Sequence, residues 1–210
     1  MFRWVALVVF VAAIGVSAQL RRKARQSGGT IPRSAEPPGL ILGRLVIALP
    51  LFGGVVAYLA NPGWMAWASF GVPPWIRWAG AALGLLVIPS AYWVLSNLGE
   101  NVSETVLTKA KQRLVTTGPY RWVRHPLYTV GIGLFVSVGL MAANWFILLW
   151  AGLALVAIRL VVIPREEAHL VAMFGNDYRR YRSRTGALVP APGAVLGRQA
   201  NDRPSETQDL

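Results

Sequence analysis

Long apolar runs alternate with short polar ones along this chain. Five apolar stretches, at about 2–20, 40–60, 75–95, 127–143 and 144–163, reach or approach the roughly 20 residues a helix needs to cross a bilayer. The pattern predicts an all-α, polytopic transmembrane helix bundle of about five spans. The fourth run is short, so it and the fifth are expected to form a tight hairpin turning near Ala143-Asn144. After the first run comes Arg21-Arg22-Lys23-Ala24-Arg25, a stop-transfer flank rather than a cleavage site. Residues 1–95 therefore read as three N-terminal spans with a linker at 21–39, its flexible part SGGTIPRSAEPPG at 27–39. The Pro, Gly and polar residues from 185 to 210 carry no apolar period towards their end and predict a disordered tail.

Composition agrees with the pattern. The 210 residues are 54% hydrophobic and 14% charged, with mean hydropathy +0.45, which places the chain among integral membrane proteins. The net charge of +12 suggests nucleic acid until the cations are located. Of 21 Lys and Arg, five lie in 21–39, five in 96–125 and seven in 164–210, and none in the connecting segments 61–74 and 143–144. Alternating basic and uncharged loops follow the positive-inside rule. This removes the nucleic-acid reading and predicts an N-terminus outside, a C-terminus in the cytoplasm and residence in the plasma (inner) membrane. Trp4, Trp64, Trp67, Trp75 and Trp145 fall at the expected outer ends of spans, where indole favours the headgroup zone. With no cysteine, disulfides, thiolate metal sites and a Cys nucleophile are excluded.

Two cytoplasmic stretches stand apart. Residues 96–126 form a long connection that ends in Gly118-Pro119-Tyr120-Arg121-Trp122-Val123-Arg124-His125-Pro126-Leu127-Tyr128. Pro126 lacks an amide donor and biases His125 towards extended backbone, so this pair marks where loop becomes helix. A helix start offers unpaired N–H groups to an anionic group, and Arg124 adds a fixed cation. The alternative is ordinary interfacial anchoring by Arg, His, Tyr and Trp. Residues 165–184 read as a C-terminal amphipathic helix, with Leu170, Phe174 and Tyr181 on one side. Arg179, Arg180, Arg182 and Arg184 suit anionic lipid.

Glu166 and Glu167 sit just past the fifth run, where a negative surface potential disfavours them without a partner. In a regular helix Arg159 and Glu166, two turns apart, share a stripe, although Pro164 can bend it. A cation inside apolar sequence usually faces a bundle interior, and snorkelling is the competing role for Arg159. Glu166 and His169 have the Glu-x-x-His spacing of di-iron bundles, but the chain has two histidines and no second copy, so no metal is expected. Gly131-Ile132-Gly133 lies within a span and reads as close helix packing, not a dinucleotide loop.

The run LGENVSETVLTKAKQRLVTTGPYRWVRHPLYTVG, a hydrophobic hairpin and then REEAHLVAMFGNDYRRYRSR together resemble the isoprenylcysteine carboxyl methyltransferase family, whose wider group includes phospholipid N-methyltransferases. The resemblance covers about 96–184 and rests on RHPLY, EE and FG-x-x-Y; before it, only hydropathy matches. It implies a cytoplasmic cofactor pocket for S-adenosyl-L-methionine. By motif position, the cofactor-binding candidates are Tyr120, Arg124, His125, Pro126, Tyr128, Glu166 and Glu167. Val130 stands where the family pattern often has Gly. The implied partner is a lipophilic small molecule or prenylated acceptor entering from the bilayer. For a carboxylate acceptor Arg159 is the candidate guiding cation; for an amine, His125 or a carboxylate is the candidate base. A membrane sterol reductase using NADPH and a non-enzymatic scaffold are the competing classes. The acceptor stays open at this point.

Overall fold

A computed structural model of the protein describes residues 1–28, 38–99 and 113–191. The expected linker at 29–37, most of the long connection at 100–112 and the terminal residues 192–210 lie outside the described residues. Seven α-helices form among the described residues: α1 Phe2–Gly28, α2 Pro38–Ala60, α3 Pro74–Leu98, α4 Pro126–Ala142, α5 Trp145–Ala157, α6 Ile163–Phe174 and α7 Asn176–Arg184. A turn of π-helix, Ile158–Val162, joins α5 to α6. Among the described residues there is no strand, only two isolated bridges.

Among the described residues, four segments are long and apolar enough to cross a membrane: Phe2–Ala24, Gly39–Ala60, Pro74–Leu98 and the continuous Trp145–Phe174. The fourth apolar run becomes α4, whose 17 residues make it the short member. At 1.5 Å per residue it measures about 26 Å, a little under a bilayer core of roughly 30 Å. The all-α, multi-pass membrane bundle expected from the apolar runs is therefore the observed architecture. The hairpin also turns as expected: Ala143 adopts a left-handed φ of 49°, and the Asn144 side chain caps α5 by accepting from the Ile147 amide.

Three expectations change. The basic flank after the first run does not end α1, which continues through it to Gly28. Residues 165–184 are two helices rather than one. Gly175, at φ 54°, breaks them because its lack of Cβ permits positive φ. The π-turn resets the phase between Arg159 and Glu166. There the Ile163 amide donates to the Ile158 carbonyl, five residues back, and Pro164 follows without an amide of its own.

The bundle is held by close approach of α3 to α4 and α1. A Cβ on Gly80 would lie 2.8 Å from the Leu140 Cβ and 3.0 Å from the Met141 amide nitrogen; on Gly84 it would lie 2.7 Å from Val9. Two small residues four apart thus let the backbones meet, the usual device where lipid offers no hydrophobic drive between helices. The buried Ser137 hydroxyl donates to the Gly80 carbonyl at 2.8 Å across this contact. One end of the bundle carries the exposed Trp4, Trp64, Trp67, Trp75 and Trp145. Arg3 and Arg77 lie there too, donating to carbonyls at Leu59 and Met141, each at 2.8 Å. At the opposite end the polar motifs meet.

Candidate functional site

The site begins with a sharp entry into α4. Gly118 takes φ 57°, which any side chain would resist, and starts the short 3-10 turn Gly118–Arg121. His125 then stands at the helix start with Pro126 at the first helical position, where a missing amide costs nothing. The segment after α7 holds this entry in place. The Arg124 amide donates to the Gly186 carbonyl at 2.8 Å, and the His125 amide to Ala187 at 3.0 Å. The Thr129 hydroxyl adds a bond of 2.6 Å to the Leu188 carbonyl. Residues 185–188, expected to begin a disordered tail, are instead a backbone strap over the motif. The reason is local: two amides just before a proline-started helix have no helical acceptor, and the strap supplies it.

The two motifs lock together through charge. Arg124 Nε donates to Glu167 Oε1 at 2.8 Å, with side chains only 11% and 8% exposed. The imidazole of His125 lies between the carboxylates, Nε2 at 3.4 Å from Glu167 Oε1 and Nδ1 at 3.5 Å from Glu166 Oε2. The Tyr128 hydroxyl donates to Glu166 Oε2 at 3.0 Å, and its ring stacks on His125 at 5.8 Å between centroids. Arg182 reaches Glu167 Oε2 at 3.3 Å. Burying such a pair carries a desolvation cost that only additional hydrogen bonds offset. They are present here: Arg124 Nη1 also donates to the carbonyls of Arg182, at 3.0 Å, and Thr185.

Two cavities of nearly equal size flank this cluster. A polar one of about 410 Å³ is lined by Arg124, Arg159, Glu167 and Arg182, with Ile163, Pro164, Ala168 and Val171. An apolar one of about 420 Å³ lies among the helices, with Tyr128 at its wall. The π-turn borders both: Ile158 and Val162 face the apolar cavity, while Arg159 and Ile163 line the polar one. Near the cluster, Tyr178 is buried, and its hydroxyl has no hydrogen-bond partner among the described residues. Burial, then the Glu167 charge, push this hydroxyl well above the ordinary tyrosine range against the opposing Arg124. It stays a neutral group beside charged neighbours and lines neither cavity.

The sequence-derived residues are gathered unevenly. Arg124, His125, Tyr128, Glu166 and Glu167 form one connected cluster. Pro126 is buried and acts through backbone geometry. Tyr120 is buried beside them and lines neither cavity. Its carbonyl accepts from the Tyr181 hydroxyl at 2.6 Å, and burial, then Glu166, hold its own hydroxyl far above the ordinary range. Arg159 shares its cavity with Glu167, not a stripe with Glu166, because the π-turn rotates it. Gly133 packs on Val87 as expected, whereas Gly131 opens onto the apolar cavity. His169 is exposed and bonds the Arg165 carbonyl.

Sequence reading passed over Arg182, Tyr178 and the strap. In sequence Arg182 reads as one of four surface arginines, yet it reaches Glu167, whereas Arg179 and Arg180 pair locally with Asn176 and Asp177. The signal for Tyr178 was present in the FG-x-x-Y spacing, since Gly175 turns α7 so that this ring points inward.

Fold and site together define a multi-pass membrane protein with a charged cluster between a polar and an apolar cavity. Residues 75–177, just under half of the chain, match the family model described as phospholipid methyltransferase. A protein-S-isoprenylcysteine O-methyltransferase of Schizosaccharomyces pombe is 33% identical over 97 residues, 44% of this chain and 40% of that protein. Methanethiol S-methyltransferase 1 of Bradyrhizobium diazoefficiens is 38% identical over 71 residues, 34% of this chain and 24% of that protein. An uncharacterised Bacillus subtilis protein is 25% identical over 133 residues, 61% of this chain and 73% of that protein. The chain thus spans less than half the length of the two named methyltransferases it matches. These matches bear out the resemblance to the isoprenylcysteine and phospholipid methyltransferase family, and they support a membrane methyltransferase.

Proposed function

We propose that the protein transfers a methyl group from S-adenosyl-L-methionine to a lipophilic acceptor that enters from the bilayer, in the manner of a carboxyl O-methyltransferase. The observation that carries this reading is the Arg124–His125–Glu166–Glu167 cluster standing between a polar and an apolar cavity. The residues present fit such a donor. Its carboxylate suits the cationic side of the polar cavity, and its ammonium or ribose hydroxyls suit Glu167. When bound, the donor supplies an electrophilic methyl on a sulfonium, which an aromatic face such as Tyr128 can stabilise.

The chain's own groups then position and exclude water, which dominate an in-line displacement. Arg124 and Arg182 hold Glu167 from two sides, so its orientation is fixed before any ligand arrives. His125 spaces the carboxylates apart, and Tyr128 ties Glu166 to the first turn of α4. Arg159 lies on the donor side and acts there as a cation for the donor's carboxylate. In the cell, the charge pattern of the loops favours a site facing the cytoplasm of the inner membrane.

Calorimetric titration of S-adenosyl-L-methionine into the detergent-solubilised protein tests this. Wild type is expected to bind, and His125→Ala and Glu167→Gln at least about tenfold more weakly, the loss of one charge-assisted contact. Unchanged affinity in both, at unchanged melting temperature, overturns the site; binding of NADPH in its place overturns the reaction.

A further inference from the structure

A third cavity, of about 380 Å³, opens at the tryptophan-rich end, opposite the charged cluster. Its volume lies within the roughly 300–1,000 Å³ of ordinary ligand sites. Phe2 and Arg3 of α1, Tyr58 of α2, Arg77 of α3 and the connecting residues Ser69 and Phe70 line it. The frame is tied across elements, which makes the cavity preformed. The Phe70 amide donates to the Ala143 carbonyl at 3.0 Å, and the buried Asn144 side chain to the Met65 carbonyl at 3.0 Å. Charge sets this cavity apart. Arg3 and Arg77, both half-buried, are the only Lys or Arg among the described residues at this end, and both line it. The positive-inside rule concentrates basic residues at the opposite end. Every described Asp or Glu (Glu166, Glu167 and Asp177) lies there too, in α6 or α7. The acceptors of the two arginines are neutral groups: the carbonyls of Leu59, Ala60 and Met141, and the Tyr58 side chain. Those carbonyls end α2 and α4, and a helix C-terminus supplies roughly half a negative charge. Two such ends leave about one positive charge uncompensated. Closing helix ends therefore uses only part of each fork, since a guanidinium carries more N–H donors than these bonds engage.

We infer that this cavity holds the headgroup phosphate of an anionic glycerophospholipid from the leaflet at the tryptophan-rich end. The exposed Trp4, Trp64, Trp67, Trp75 and Trp145 put the cavity in the headgroup zone, where lipid phosphates lie. A phosphodiester carries a single negative charge, which matches the excess, and its paired oxygens suit forked guanidinium donors. Phe2 and Phe70 offer an apolar wall to the glycerol backbone. A headgroup ammonium would meet two cations and no described carboxylate here. A phosphatidylglycerol-type head therefore fits better than a zwitterionic one. The site takes no part in the reaction proposed above and does not depend on it.

The full chain in a neutral detergent provides the test, titrated by calorimetry with soluble short-chain lipids. Dihexanoyl-phosphatidylglycerol is expected to bind saturably. Dihexanoyl-phosphatidylcholine should bind at least about tenfold more weakly, and so should glycerol 3-phosphate and inorganic phosphate, which lack the apolar part. Arg3→Gln and Arg77→Gln should each weaken phosphatidylglycerol binding by about tenfold, the loss of one charge-assisted contact, with Arg77→Lys intermediate. Ser69→Phe fills the mouth from an exposed position and leaves both arginines in place. It should abolish binding at an unchanged melting temperature. Arg180→Gln, at the opposite end, should leave the affinity as in wild type. Equal affinity for phosphatidylcholine or for inorganic phosphate overturns the assignment to an anionic lipid. Unchanged phosphatidylglycerol affinity in both Gln variants means that the arginines only close helix ends, and overturns the site. Loss of binding in Arg180→Gln moves the lipid to the other end and overturns it as well. If the Gln variants fail to fold, Ser69→Phe decides alone, and wild-type affinity there overturns the site.

Discussion

Both ends of the bundle engage arginines with acceptors on neighbouring elements, but the acceptors differ. At the tryptophan-rich end, Arg3 and Arg77 donate to the last carbonyls of α2 and α4, and Arg77 lies over the Phe2 ring at 4.4 Å. Those acceptors are helix C-termini, which carry unpaired carbonyls and a partial negative charge, so the arginines complete the fold. At the other end, Arg124 and Arg182 face Glu167, and Glu166 and Glu167 are the only glutamates among the described residues. A carboxylate there is no structural requirement of a helix end. Cations that close helix ends stabilise; cations that hold a desolvated carboxylate against a cavity prepare a binding surface.

The contrast can be broken most forcefully at Glu167. Its replacement by Ala leaves Arg124 buried without its carboxylate and should cost about 3–5 kcal/mol of stability, read as a fall in melting temperature, together with loss of donor binding. Retained stability would mean that the strap carbonyls alone satisfy Arg124. Next comes Gly80→Ala, which drives a Cβ to 2.8 Å from Leu140 and against backbone of α4. Overpacking of this kind should cost about 1–3 kcal/mol, with donor affinity in the surviving folded fraction unchanged. A smaller loss, about 1–2 kcal/mol, is expected for Arg77→Ala, which removes a carbonyl contact and a cation–π contact but should leave titration with S-adenosyl-L-methionine unaltered. A change in donor affinity here would abolish the distinction between the two ends. The mildest is Tyr128→Phe. It removes one hydroxyl bond to Glu166 and keeps the ring, so stability should fall by about 1 kcal/mol or less. Donor affinity should drop more than in Arg77→Ala despite the smaller thermal effect.

The polar end was more legible in sequence than its assembly. Arg124, His125, Tyr128, Glu166 and Glu167 were recognisable because charges and a proline at span ends are costly unless used. Their partners were not. Whether Glu166 or Glu167 meets Arg124 depends on helix phase, and the π-turn at Ile158–Val162 changes that phase by one inserted residue's worth of rotation. Arg182 reads as one more lipid-facing arginine in sequence, and only the break at Gly175 and the packing of α7 bring it to Glu167. The strap at 185–188 left no sequence signal, since it acts through carbonyls that every residue possesses.

Apolar runs of membrane length, uncharged connections at one end and basic ones at the other are local properties of the chain, and bilayer thickness turns them directly into a helix count and an arrangement of ends. The sequence by itself therefore determined the bundle and its polar motifs. Only the tertiary structure decided which charges meet, that two cavities flank them, and that Arg21 and Arg44 from the first two helices border the apolar one. The physical reason is that these are relations between helices. A sidewise rotation of any helix leaves its hydropathy unchanged but alters every partner it faces.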